Sequence, residues 1–193
     1  MPSNNFMWFP DSAKGGLLKG NSAKPEGETA DAWFSKKKAL ELMEFTFGLE
    51  QADTTTSGSS GSGGGKVKFN EFEIKKGVDL ASVPLYQACA AGAHFPSVML
   101  AILKPGGERL LYIQYIFCQV FVTNISWSGG GGEEAPSESV KFKFGALGVR
   151  YVQQLPNGQA GKPMEGAWSV VTNEPSLVVK DIKPPSYLLN SQS

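Results

Sequence analysis

The sequence is poor in the residues that most often perform chemistry. Its 193 residues include one histidine, His94, and two cysteines, Cys89 and Cys118. One histidine excludes a histidine cluster, and two cysteines outside any C-x-x-C motif provide neither a zinc site nor a disulfide framework. Two buried thiols in a reducing compartment are the simpler interpretation. The composition therefore argues against a metalloprotein and against a disulfide-stabilised fold.

Net charge and long apolar runs are also missing. The 18 Lys+Arg and 18 Asp+Glu give a formal net charge of +0, whereas binding to nucleic acid by counterion release needs a basic surface. No stretch approaches the ~18 consecutive apolar residues of a membrane-spanning helix. The N-terminus, MPSNNFMWFPDSAKGG, lacks the basic and apolar regions of a secretory signal. We therefore expect no nucleic-acid partner and no membrane partner, and any export must follow a route that reads no N-terminal signal.

The Gly- and Ser-rich segment 53–66, DTTTSGSSGSGGGK, suggests a phosphate-binding loop at first sight. Such a loop needs Gly, four residues, Gly-Lys and then Ser or Thr. Here Ser60 stands in place of the first glycine, and Val67 follows Lys66. The next residues also alternate like a strand, whereas a phosphate loop opens a helix. The segment is therefore predicted to be a long flexible loop between two strands.

Alternation of apolar and polar residues with a period of two is abundant. Val140, Phe142 and Phe144 share one face of a predicted strand, and similar patterns recur between residues 39 and 155. The apolar face changes near Asn70, which predicts a β-bulge there. Such patterns are typical of half-buried antiparallel strands.

The block 97–127 differs because it is apolar on both faces, apart from the turn KPGGE. A strand that is apolar on both faces is covered on both faces. A barrel wall in a monomer has one face in water. We therefore expect a helix, or a neighbouring subunit, to cover the second face of this block.

One helix is predicted between the strands, in the segment DLASVPLYQACAAGAHF. Ser82 is the expected N-cap and Gly92 the expected C-terminal stop. Leu85, Ala88 and Cys89 form an apolar stripe at helical spacing.

The residues alone leave three classes of function open. A structural or interaction protein fits best, because no catalytic constellation is present. A β-barrel or sandwich binding module for carbohydrate or protein is the alternative, with Tyr112, Tyr115 or Trp127 as a stacking surface. An enzyme comes third, and it would have to use His94.

The succession of segments resembles that of a known family. The strand LELMEFTFG leads into SGSSGSGGGK, and then come Lys-Lys and Asp-x-x-Ser within VKFNEFEIKKGVDLASVPLYQACAAGAHF. SESVKFKFGALGVRY then looks like a Glu-x-Val-x-Phe-x-Phe stretch ending before Tyr. In this order the chain resembles the Hcp proteins, the tube-forming subunits of bacterial type VI secretion systems, over about residues 39–155.

The resemblance implies a single domain over residues 1–193 with three departures from the family pattern. The usual N-terminal strand pair is only faintly visible, residues of about 19–38 look like an insertion, and about 160–193 form an extra C-terminal segment. The flexible loop spans about 51–65.

The resemblance implies a particular fold, assembly and set of partners. The fold would be mainly β, an antiparallel β-barrel of two sheets with one flanking α-helix. Six copies would form a ring, and rings would stack into a tube that sheath contraction expels with effectors. Partners would be further copies of the chain, effectors, and spike, sheath and baseplate proteins. The protein would pass from the bacterial cytoplasm through the type VI apparatus without a signal peptide. The tube protein of another contractile injection system is the nearest alternative, and no reaction, metal or cofactor is implied.

Two groups of residues are candidate contact sites under this resemblance. The predicted inter-ring contact loop contains Thr54, Thr55, Thr56, Ser57, Gly58, Ser59, Ser60 and Gly61. The predicted aromatic residues of the subunit interface are Tyr112, Tyr115, Phe117 and Phe121.

Overall fold

Antiparallel strands form most of the structure. The computed structural model describes residues 4–10, 24–51, 67–104, 111–130 and 135–177. A 3₁₀ turn spans Ser35–Lys37, and the one α-helix of these ranges is α1, Ser82–Ala91. The strands are β1 Asn5–Trp8, β2 Leu40–Glu41, β3 Glu44–Thr46, β4 Leu49–Gln51, β5 Val67–Phe69, β6 Phe72–Gly77, β7 His94–Leu103, β8 Leu111–Ser128, β9 Ser137–Gln154 and β10 Ala160–Ser169.

The strands form a large curved sheet and a small one. The large sheet has the order β2-β1-β7-β8-β9-β6-β3, with β10 paired to β9, and β4 and β5 form a separate pair. No ladder joins β2 to β3, but they follow each other in the chain. The Leu42 N–H donates to the Asn5 carbonyl at 3.0 Å, and the Met43 N–H donates to the Lys75 carbonyl at 2.9 Å. The predicted mainly β, antiparallel fold of two sheets with one flanking helix is confirmed. The barrel is not closed by strand pairing, because β2 and β3 are the two edges of the large sheet.

The predicted bulge near Asn70 is wrong, because the chain changes sheet there. The strand β5 ends at Phe69 and pairs with β4, and β6 starts at Phe72 and pairs with β3 and β9. The Asn70 N–H donates to the Gly48 carbonyl at 2.9 Å, which joins the two bends. The change of apolar face therefore marks a transfer between sheets rather than an extra residue within one strand.

The inner face of the curved sheet holds the larger hydrophobic core. Aromatic rings fill its centre: the ring centroids of Phe72 and Phe117 are 4.7 Å apart, and those of Phe117 and Phe144 are 5.1 Å apart. Leu85 and Ala88 of α1 are fully buried in the same core. These two residues belong to the predicted apolar stripe of the helix.

A second core lies on the outer face of the sheet, where Met99, Ile116 and Cys118 are buried. The chain itself covers this face, so the expected helix or neighbouring subunit is not what covers it. Phe34 is buried and stacks on Phe6 with ring centroids 4.1 Å apart and an interplanar angle of 10°. Burial of apolar surface on both sides explains why the block 97–127 has no polar face.

The covering segment, residues 24–39, is held by its backbone. The Gly27 N–H donates to the Lys38 carbonyl at 2.9 Å, and a Cβ at Gly27 would lie 2.2 Å from the Ala39 carbonyl oxygen. Asp31 Oδ1 accepts the N–H groups of Trp33 and Phe34, both at 3.0 Å. The segment is therefore packed tightly onto β2, and only glycine fits at position 27. The interpretation of residues 19–38 as an insertion stays a prediction.

The helix ends as predicted but begins differently. Gly92 has φ 62°, and its N–H donates to the carbonyl of Cys89, which confirms the C-terminal stop. The prediction of Ser82 as N-cap is wrong, because Ser82 is the first helical residue and Ala81 precedes it without a side-chain cap. The Ser82 hydroxyl instead accepts the Asp79 N–H at 3.0 Å.

Cys118 provides a test of the outer core. Burial raises the pKa of its thiol to about 11, so the thiolate is scarce at pH 8. In a Cys89→Ser variant, we expect Cys118 to react with a disulfide reagent at pH 8 roughly a hundredfold more slowly than in the urea-unfolded chain. The matched Cys118→Ser variant reports on Cys89, which is partly exposed. Equal rates for folded and unfolded Cys118 would show that the outer face is open.

Candidate assembly interface

A fully buried lysine holds the helix against the barrel. Lys76 Nζ lies 2.7 Å from Glu138 Oε1 and also contacts the Asp79 carboxylate, and the side chains of Lys76 and Glu138 are both 0% exposed. The Ser82 hydroxyl and the Trp127 indole N–H donate to the two oxygens of Glu138, at 2.9 Å and 2.8 Å. Each oxygen of the buried carboxylate is therefore paired, as a buried charge requires.

This ionic cluster joins β6, β9, the end of β8 and the start of α1. Lys76, Asp79, Ser82 and Glu138 come from the Lys-Lys, Asp-x-x-Ser and Glu-x-Val stretches that carried the family resemblance. Their convergence was not predicted from the sequence. One signal was available, since Lys76 lies two residues after the inward-facing Ile74 and shares its face of the strand.

One exposed apolar surface lies on and beside the helix. We call Leu80, Val83, Tyr86 and Trp127 the helix patch; their exposures lie between 51% and 69%. Val83 and Tyr86 are three residues apart in α1 and so lie on one side of it. The rings of Tyr86 and Trp127 have centroids 6.0 Å apart. Exposed large apolar groups that adjoin one another are typical of contact sites.

A second exposed apolar surface lies on the β9–β10 pair. We call Tyr151, Leu155 and Met164 the strand patch; Met164 is 75% exposed. Tyr151 and Met164 are directly opposite each other in the ladder. Their side chains therefore form a cross-strand pair on one face of the sheet.

The two patches lie at opposite ends of the long β8–β9 hairpin. Trp127 pairs with Glu138 at one end, and Ile113 pairs with Tyr151 at the other. The patches differ in composition and position, so a contact between them would be head-to-tail rather than two-fold symmetric. Head-to-tail contacts generate rings when the rotation closes.

The predicted interface aromatics lie mainly against the inner core. Phe117 is 2% exposed, whereas Tyr112 and Tyr115 are partly buried and pack against the core cluster. Burial raises the pKa of Tyr115, with a smaller contribution from Tyr112. Phe121 is partly buried, and its ring centroid is 5.3 Å from that of His94. A subunit-interface role for this group stays a prediction that depends on Tyr112, Tyr115 and Phe121.

The structure does not bring the other candidate groups together into a site. Trp127 lies at the opposite end of β8 from Tyr112 and Tyr115, so the three rings do not form one stacking surface. In the described ranges, no group of three His, Cys, Asp or Glu side chains could hold a metal ion. No helix within those ranges is long and apolar enough to cross a membrane. The loop Thr54–Gly61 lies outside the described residues.

Comparison with known proteins identifies the family. The family model described as "Type VI secretion system effector, Hcp" matches residues 12–151. The chain belongs to the Hcp family. Protein hcp1 of Pseudomonas aeruginosa is 32% identical to it over 110 residues, which cover 56% of this chain and 68% of that protein.

Solved structures agree with this Hcp assignment. A type six secretion system protein superposes with a TM-score of 0.74 at 28% identity, over 89% of this chain and 98% of its own. Hcp1 from Salmonella typhimurium has the same fold, with a TM-score of 0.68 at 24% identity over 91% and 100% of the two chains. Hcp proteins are secreted structural proteins of the type VI tube and not enzymes. The chain therefore belongs to a family of tube proteins, which fits its exposed apolar patches.

The ionic cluster predicts that substitutions of the adjacent residues Lys75 and Lys76 will change the free energy of unfolding by very different amounts. Lys76→Met leaves the buried Glu138 carboxylate and the partly exposed Asp79 carboxylate without their cation, so we expect the free energy of unfolding to fall by about 3–5 kcal/mol. Lys75→Met, the control, removes an exposed ion pair with Glu44 and should change stability little. Urea unfolding followed by circular dichroism measures both.

The double variant Lys76→Met/Glu138→Gln should recover part of the loss, because it removes one uncompensated charge. Equal stability of the Lys75→Met and Lys76→Met variants would show that the cluster does not hold the helix.

Proposed function

We propose that this chain is the structural subunit of a type VI inner tube, in which six copies form a ring and rings stack. Sheath contraction would expel the tube together with effectors. Membership of the Hcp family supports a tube protein. The observation that carries ring formation is the presence of two different apolar patches at opposite ends of the β8–β9 hairpin.

The position of these patches supports a head-to-tail contact, which closes into a ring in the proposed assembly. The helix patch of one copy would bind the strand patch of the next, so every copy would use both surfaces once. Burying aromatic and aliphatic side chains of this size is the main favourable term in association. The ionic cluster would keep the helix patch in a fixed position, because it holds α1 and Trp127 through the same carboxylate.

Stacking of rings would use the loop of residues 51–65, with Thr54–Gly61 as the contact residues. Its glycines and serines have many accessible backbone conformations, and docking onto the next ring would restrict them at an entropic cost. Free rings should therefore stack weakly. The baseplate and sheath would reinforce stacking in the assembled apparatus.

Cargo and export complete the proposal. Effectors would travel in the lumen or at the spike-bearing tip of the tube. The chain would reach the cell exterior from the bacterial cytoplasm through the apparatus itself, without a signal peptide.

Charge in either patch should break the ring. We expect Val83→Asp and Met164→Asp to convert a particle near six times 20.7 kDa into monomers, because each places a carboxylate in an apolar contact. Val171→Asp is the matched control, since Val171 is 55% exposed and lies outside both patches. Light scattering after size exclusion, with negative-stain images, measures the outcome. Intact rings in both patch variants would exclude this interface.

Shortening the loop should separate stacking from ring formation. Removal of residues 54–61 should leave the number of subunits per ring unchanged and abolish end-to-end stacks at high protein concentration. A variant with the same eight residues in scrambled order is the control for loop length and composition. Stacks that form equally in the shortened protein would contradict the loop assignment.

A further inference from the structure

A groove of about 380 Å³ separates the small sheet from the β9–β10 pair. Cross-strand pairs line both of its walls: Leu49–Phe69 and Gln51–Val67 in the small sheet, and Leu147–Trp168 and Val149–Gly166 in the large one. The described lining residues are all uncharged, and Leu49 is 57% exposed. The groove is therefore an apolar surface that is open to solvent in the single subunit.

Two features of this groove call for a further group. A Cβ at Gly166 would meet no described heavy atom within 4 Å, so the space above this glycine is open. The Trp168 indole nitrogen is buried and has no hydrogen-bond partner in the part of the chain that the structure describes. A buried donor without an acceptor is costly. An apolar group that carries an acceptor therefore suits the groove.

The groove continues the strand patch along the same two strands. Positions 164, 166 and 168 alternate along β10, so Met164, Gly166 and Trp168 share one face of it. Gly166 pairs with Val149, and the next pair on this face is Met164–Tyr151 of the strand patch. The groove and the strand patch therefore form one continuous apolar surface.

The helix patch offers the group that the groove calls for. The helix α1 contains no charged residue, and Tyr86 on it is 51% exposed. Tyr86 is the one member of the helix patch whose side chain has an oxygen that can accept a hydrogen bond. Trp127 has only an N–H, which is already bound to Glu138. Interface centres are depleted of charge and enriched in aromatic residues, and both surfaces fit this description.

We propose that Tyr86 of one copy inserts into this groove of the next copy, so that a neighbouring subunit completes each groove. Its ring fills the space above Gly166 and packs against Leu49 and Trp168. Side-chain rotations at interfaces are common on binding, and rotation of the Trp168 ring toward the groove brings its N–H to the Tyr86 hydroxyl oxygen. Because the ring of subunits is itself a proposal, this contact rests on it, and it names the side chain that anchors each subunit to the next.

Filling the groove tests the insertion. Gly166→Leu places a side chain in the open space above β10, so we expect it to convert rings into monomers and leave the midpoint of thermal unfolding unchanged. Gly130→Leu is the matched control, since a Cβ at Gly130 also meets no described atom within 4 Å and Gly130 lies outside the groove and both patches. Light scattering after size exclusion measures the particle mass. Intact rings in the Gly166→Leu variant overturn the insertion.

Removing the two polar groups tests the hydrogen bond. Tyr86→Phe and Trp168→Phe each keep an aromatic ring and lose one partner of the bond. We expect each substitution to raise the protein concentration at which half of the rings dissociate by about three- to tenfold. The double variant should raise it no further than either single variant, because both remove the same bond. Additive effects, or no effect of either substitution, overturn the pairing of Tyr86 with Trp168.

Failure of this contact and failure of the ring give different results. Rings that survive Gly166→Leu but are lost in Val83→Asp and Met164→Asp overturn the insertion of Tyr86 and keep the ring. An unmodified chain that is monomeric at every concentration overturns both proposals.

Discussion

The buried charge of Lys76 constrains the structure around it. A lysine with no exposed surface requires carboxylates at fixed distances. Here one comes from Asp79, just before the helix, and the other from Glu138 in β9. The helix can therefore dock only where both are in reach. Glu138 also binds the Trp127 indole, so the same constraint sets the position of the largest exposed ring at this end of the barrel. Core packing, helix position and surface shape are thus coupled through one side chain.

The large sheet separates two hydrophobic cores that differ in the size of their side chains. Its inner face carries large aromatic side chains such as Phe72 and Phe117, which fill the barrel. Its outer face carries small residues among the larger ones, at Ala101, Ala146 and Gly148, and Leu177 packs directly against Gly148. Large residues therefore fill a wide interior, and small residues admit a close-fitting cover.

Local patterns predicted the strands, the helix and its C-terminal stop, because alternation and glycine chemistry act over a few residues. They did not predict what covers the second face. Residues of about 19–38 are interpreted as an insertion, and their main contribution to the outer core is Phe34, which stacks on Phe6 far away in sequence. The burial of Lys76 was missed for a related reason, since a lysine in a strand is read as solvent-facing unless its distant partners are known. The assembly surfaces depend on three-dimensional juxtaposition, as at Tyr86 and Trp127, and no sequence spacing encodes that.

The outer cover consists of chain segments that contribute no strand to the long β7–β8–β9 ladder. The ladder and the inner aromatic core set the strand register. Residues 24–39 and the chain around Leu177 instead set the shape and composition of the outer surface of the barrel. These two properties can therefore diverge separately. Evolution could therefore replace the covering segments of such a barrel and change its outer contact surface. The geometry of the sheet beneath them would stay the same.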